Sequence, residues 1–221
     1  MEFFMKKNII LALMVTLSIP LSPIYDQLLL DAQKKLNVAQ NISLLETEDP
    51  DAYGYATYNT IYLNKKLLDN TSYGFKRQVV FHETVHIKHQ DSKIKHRINL
   101  LSMLSIALGI PLSINIILSR PQSPYGSIKI AASPYLIINL AFCSRHFYSK
   151  FCETRADTQA AMALECEDCL HEYITCYKKE LIRLQISENE RIDQGYLSCA
   201  KLLEIKNSFK NKKCPYHQKS P

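Results

Sequence analysis

Hydrophobic and polar positions change period several times along this chain, and each change marks an element. Lys6 and Lys7 precede an apolar run from Asn8 to Ile24. That layout fits a secretory signal or a retained membrane anchor, and residues 1–24 are read as one or the other. From Tyr25 to Leu36, the residues Leu28, Leu29, Ala32 and Leu36 recur at helical spacing, which predicts an amphipathic helix. Asn41–Glu46 reads as a short strand, and Asp49-Pro50-Asp51 is turn chemistry. Ala52–Thr57 and Thr60–Leu63 are rich in tyrosine and β-formers and are joined by Tyr58-Asn59. They predict a hairpin and, with the first strand, a small antiparallel sheet.

Asp69–Ser72 supplies helix caps, and a helix is expected over Phe75–Lys95 with Val79, Val80 and Val85 turned into the core. Asn99–Leu118 is then mainly apolar and uncharged, long enough to cross the hydrocarbon layer. Gly109 and Pro111 interrupt it, which membrane helices tolerate. A second, shorter run, Ile130–Cys143, contains Pro134. The two runs, joined by Arg120–Ser127, predict a transmembrane helical hairpin over 98–143; a buried hairpin in a soluble core is the alternative. Beyond Arg145 the chain turns polar and helical. Glu153–Leu164 carries an alanine-rich packing face, Glu165–Ile186 continues in helical pattern, and Phe209–Pro221 reads as a basic, frayed end. The expected fold class is α+β, mainly α, with 25–97 and 144–221 forming one discontinuous domain around the inserted 98–143.

Composition agrees with a helical chain, since glycine numbers only 5 in 221 residues. The net charge of +6 is spread widely, with no basic-aromatic array of the kind that binds nucleic acid, so the basic residues are read as flanking membrane segments. All seven cysteines lie from Cys143 onward, and an odd number excludes a complete intrachain disulfide framework. Cys166 and Cys169 form a CxxC, with Cys176 further along, and no second CxxC completes a zinc knuckle. These are read as free thiols, with a redox pair or part of a second metal site as the alternatives.

The chemistry centres on His82-Glu83-Thr84-Val85-His86. On a helix, His82 and His86 lie one turn apart on the same face, where two imidazoles can grip one zinc ion. Glu83 sits beside them and can take a proton from a water that the zinc acidifies. Such a site needs a third protein ligand and an open position. Glu153, in Cys152-Glu153-Thr154-Arg155-Ala156-Asp157, is the candidate. Asp157, one turn on, is placed to hydrogen-bond the far nitrogen of a histidine ligand, His82 first. His89, one turn beyond His86, is read as a polar surface residue.

His82–Asp91 resembles the HExxH-I-x-N-x-D stretch of the HtpX-type membrane zinc peptidases, relatives of the CAAX prenyl proteases. Asp91 matches the trailing aspartate, and His89 stands where asparagine is common. Cys152–Asp157 is similar to that family's ExxAD element, Asp51-Ala52-Tyr53-Gly54 through Ile61-Tyr62-Leu63 to its strand pair, and the apolar hairpin lies where HtpX places one. The resemblance covers roughly residues 25 to 185 and implies a gluzincin-like catalytic domain. In it His82, His86 and Glu153 bind one zinc per chain, Glu83 is general base and then acid, and Asp157 supports a histidine ligand. Two departures stand out. HtpX has two membrane segments before its catalytic region, and this chain offers one. Many family members carry a His-Pro element with a nearby arginine after the ExxAD helix; here His217 is followed by Gln218. His171, Tyr173 and His217 are the candidates for steadying the oxyanion.

The expected function is a membrane-bound zinc endopeptidase acting on polypeptide substrates, with membrane lipid as its other partner, no nucleic acid, and a place in membrane protein quality control. Its expected location is a membrane of the bacterial inner type. An N-terminus held inside by Lys6 and Lys7 places the catalytic parts outside, whereas Lys88, Lys93, Lys95, Arg97, Arg145 and Lys150 around the hairpin place them inside. The alternatives are an inactive membrane scaffold of the same fold, or a thiol-redox or metal-binding protein using Cys166 and Cys169.

Overall fold

A computed structural model describes residues 22–50, 52–119 and 124–218. The expected anchor, Asn8–Ile24, lies outside these residues but for its last three. Helix α1 spans Pro23–Leu36 and buries Leu28, Leu29, Ala32 and Leu36, the face its spacing predicts, together with Tyr25. It ends where Asn37 enters the left-handed region, with φ 53°, and its backbone N–H caps the last carbonyls.

Three short strands follow: β1 (Ser43–Glu46), β2 (Gly54–Thr57) and β3 (Thr60–Leu63). The β2–β3 hairpin is antiparallel as expected, pairing Thr57 with Thr60 and Gly54 with Leu63. The sheet as a whole is not antiparallel. The strand order is β1-β3-β2, and β1 runs parallel to β3 with Ser43 opposite Thr60. The reason lies in the loop after β1, which carries the chain past β3 before the hairpin turns back. β3 is thus central, and β2 keeps one edge unpaired within the sheet.

Helix α2 (Lys65–Leu68) is a single turn capped by the Asn64 side chain, which accepts from the Leu67 N–H at 3.0 Å. Ser72 then caps α3 (Tyr73–Lys88), accepting from the Phe75 N–H at 3.3 Å. α3 is buried on nearly every side, from Phe75 and Arg77 through Val80, Phe81 and Val85 to Ile87. A helix buried all round is the central element of its domain. It stops at Lys88 and does not run on to Lys95. Gln90 adopts φ 55°, and a new helix, α4 (Asp91–Ser119), leaves in another direction.

Helix α5 (Pro124–Leu164) is continuous over 41 residues, from the expected hairpin through Glu153 and Asp157. Among the described residues, no helix is long and apolar enough to cross a membrane. The transmembrane hairpin expected over 98–143 is therefore matched by a helical pair and not by a span. Helices α6 (Glu167–Leu184), α7 (Glu188–Asp193), α8 (Cys199–Ser208) and α9 (Pro215–Gln218) close the far side. The end expected to fray is held instead as far as Gln218. Cys214 is 6 % exposed, and the Asn211 N–H donates to Glu167 Oε2 at 2.9 Å.

Candidate active site

The site forms where α3, α5 and the start of α4 meet beside β2. Helical spacing puts His82 and His86 on one face of α3, and their Nε2 atoms lie 3.0 Å apart. Glu153 of α5 reaches the same point. Its Oε2 is 3.3 Å from His82 Nε2 and 3.5 Å from His86 Nε2. One donor atom from each residue lies within 4.8 Å of the others, a grouping that could hold a metal ion.

The far side of each ring shows which nitrogen faces inward. His82 Nδ1 donates to Asp157 Oδ1 at 2.8 Å, and His86 Nδ1 donates to Asp91 Oδ2 at 2.8 Å. A carboxylate only accepts, so each Nδ1 carries the hydrogen and each Nε2 presents a lone pair. Two lone pairs 3.0 Å apart repel each other, so a positive species between them, a proton or a metal cation, stabilises the arrangement. Donors about 2.1 Å from a tetrahedral zinc stand roughly 3.4 Å from one another, so the observed spacings fit the ion.

The supporting carboxylates are themselves fixed. Asp157 is 2 % exposed, and its second oxygen accepts from the Leu197 N–H at 3.1 Å. Asp91 Oδ1 accepts from Arg155 and, at 3.3 Å, from the Tyr148 hydroxyl, both on α5. Burial opposes ionisation of Asp91, but the hydrogen bonds from His86 and Arg155 prevail and pull its carboxyl down to about 2.

The electrostatics of the centre favour positive charge. Burial disfavours protonation of His82 and His86, yet Asp157 and Glu153 for the first, and Asp91 and Glu153 for the second, push both imidazoles above their usual range. The same field attracts a metal cation. Burial works against an ionised Glu153 as well, but the two histidines hold it below the usual carboxylate range. Glu83 behaves oppositely. Burial raises its carboxyl, with His82 and His86 pulling part of the way back. It is 7 % exposed and lines the same cleft.

That cleft measures about 220 Å³ and runs between the zinc-type donors and the backbone of Gly54, Tyr55 and Ala56 on β2. Ser92 Oγ donates to the Ala56 carbonyl at 2.9 Å, tying α4 to the strand. Lys95 stands at the rim with Nζ 3.4 Å from Glu153 Oε1.

His82, Glu83, His86, Glu153 and Asp157 thus converge as read from the sequence. The proposed oxyanion groups do not. His171 is exposed on α6, Tyr173 is buried in the core, and His217 lies among the cysteines. Tyr196 does line the cleft, with its ring 6.4 Å from that of His82 at 12°. No motif marks it. It follows Gly195, whose φ of +104° and close approach to Lys150 turn the chain back over α5. His89 is partly buried rather than free on the surface, with Nε2 3.0 Å from Gln159 Oε1.

No curated protein and no solved structure matches the chain. A model of peptidase family M48 matches residues 23–195, a span that takes in both donor elements and ends just before Tyr196. The family is one of zinc metallopeptidases of the HtpX kind, as the motifs imply. With most of its length matched, the chain belongs to peptidase family M48.

Proposed function

We propose that this chain is a zinc-dependent endopeptidase that hydrolyses polypeptides at a membrane. The observation that carries this reading is the pairing of each histidine Nδ1 with a buried carboxylate, which turns both Nε2 atoms toward Glu153. His82, His86 and Glu153 would hold one zinc, with Asp157 and Asp91 fixing the two imidazoles. Bound there, the ion would polarise the scissile carbonyl and acidify the attacking water.

Glu83 supplies the proton chemistry. Its carboxylate takes a proton from the attacking water, and burial favours the neutral acid that then delivers it to the leaving amine. Burial also pushes the Tyr196 phenol up, so it stays protonated and can donate to the oxyanion. The edge of β2 facing the cleft offers backbone groups to an extended peptide, which would add as a further strand.

The peptidase domain would comprise 25–97 and 144–221, with 98–143 inserted as a membrane hairpin. Two features support insertion. The runs 99–118 and 130–143 are predominantly apolar in sequence. On the helices that contain them, Met103, Leu108 and Phe142 are between 65 % and 69 % exposed among the described residues. A row of large exposed hydrophobic side chains needs an apolar partner. Substrates would be polypeptides in or near that membrane, damaged membrane proteins among them. The histidines and Glu153 flank the hairpin, so a crossing by one arm must be matched by the other to keep the site on one face.

The test is Glu83→Gln, assayed for zinc content and for cleavage of casein. Retained zinc with proteolysis lower by several orders of magnitude is expected. Undiminished cleavage sinks the assignment. An inactive scaffold would show no cleavage by the unaltered chain.

A further inference from the structure

A second set of donors converges away from the cleft. Cys166 caps the start of α6, Cys169 lies in its first turn, and the chain's end brings back Cys214 and His217 in Cys214-Pro215-Tyr216-His217. We propose that Cys166, Cys169, Cys214 and His217 hold a structural zinc ion that fastens the C-terminal segment and α6 to the first turn of α3.

The spacing carries the inference. Around a tetrahedral zinc, sulfur atoms stand about 3.7 Å from one another and about 3.5 Å from a nitrogen ligand. Cys169 Sγ and Cys214 Sγ are 3.6 Å apart. His217 Nδ1 is 3.6 Å from Cys166 Sγ, 3.6 Å from Cys169 Sγ and 3.3 Å from Cys214 Sγ. All four donor atoms lie within 4.8 Å, and none of the cysteines is in a disulfide.

The surroundings suit a thiolate-bound ion. His217 Nε2 donates to Glu172 Oε1 at 3.0 Å, which leaves Nδ1 as the lone pair turned toward the sulfurs. Cys166 Sγ accepts from the backbone N–H of Cys169 at 3.5 Å and of Cys214 at 3.3 Å. Three thiolates around a divalent ion leave one negative charge. Arg77, 1 % exposed, places Nη1 3.5 Å from Cys169 Sγ to offset it.

The cluster touches the helix of the first site directly. Glu172 Oε2 accepts the Gly74 N–H at 2.6 Å, so one carboxylate joins His217 to the start of α3. A Cβ at Gly74 would lie 2.3 Å from the Cys169 carbonyl oxygen, so α3 rests on the very turn that carries the thiols. Arg77, one turn further on, also donates to the Leu164 carbonyl at the end of α5. The ion would therefore brace both helices that supply the active-site donors.

The test is made on the full chain, purified without added chelator. His82→Ala with His86→Ala empties the first site and is expected to retain one zinc per chain. Cobalt exchanged into that double variant should show the strong near-ultraviolet absorption of thiolate-bound cobalt. Adding Cys214→Ser should abolish both, whereas His217→Cys, which keeps four donors, should retain the ion with a shifted cobalt spectrum. A double variant that holds no zinc and shows no such absorption, or a disulfide between any two of these cysteines in the isolated protein, overturns the proposal. A chain whose single zinc survives in the double variant supports this site and counts against the first.

Discussion

Asp91 Oδ2 lies 2.8 Å from His86 Nδ1, although the two residues belong to different helices. On one straight helix a residue five places on would point about 140° away from His86. The left-handed turn at Gln90 ends α3 and brings Asp91 back over its last turn. A break in the helix thus supplies the second supporting carboxylate, which then collects Arg155 and Tyr148 from α5.

Asp91→Asn should therefore weaken zinc binding by about 10- to 100-fold, the usual effect of losing a carboxylate behind a histidine ligand. Competition with a chelator measures this. Activity restored by excess zinc is the expected companion; unchanged affinity would show that the pair is not supporting a metal ligand.

Tyr196→Phe keeps the ring and removes the proton donor. It should lower kcat by about 10²-fold or more, with KM little changed and zinc retained, because the donation develops with the charge on the oxyanion. A variant with normal kcat would return Tyr196 to a role in shaping the cleft wall.

Gly195→Ala meets two obstacles at once, a φ of +104° and a Cβ 2.5 Å from the Lys150 carbonyl oxygen. Strain of this kind costs about 1–3 kcal/mol. The melting temperature should fall by several degrees, and kcat should fall with it as Tyr196 shifts. Thermal melts and steady-state kinetics of the one variant test both.

The membrane reading predicts that the protein stays with the membrane fraction through alkaline carbonate. It also predicts that cysteines at Ser92 and Ser123, in a version lacking native cysteines, react with an impermeant reagent from opposite sides. Labelling from a single side, or release by carbonate, would show that the inserted segment does not cross.

Much of the site was legible in the sequence because it is written in helical spacing. His82 and His86, and Glu153 and Asp157, each lie one turn apart, and any straight helix must put such pairs on one face. What spacing along one helix cannot express was missed. The turn at Gln90 depends on a left-handed residue that no glycine announces. Tyr196 reaches the cleft through a loop. The parallel pairing of β1 with β3 depends on the path of a connection, since alternation along a strand says nothing about its partner's direction. Cys214 and His217 looked like a basic tail because their partners lie some fifty residues away; the Cys-x-x-His spacing was the available signal.

Glu153 and the arm leading back to Pro124 belong to one uninterrupted helix, α5. Glu153 is thus the working end of a lever about 44 Å long. Each degree of tilt about the metal centre moves the distant end by about 0.8 Å, and a rotation of one residue, about 100°, would swing the carboxylate out of reach. A zinc ion gripped from both sides would lock that lever in azimuth. Filling the site would then set the orientation of the arm, and twisting the arm would loosen the metal.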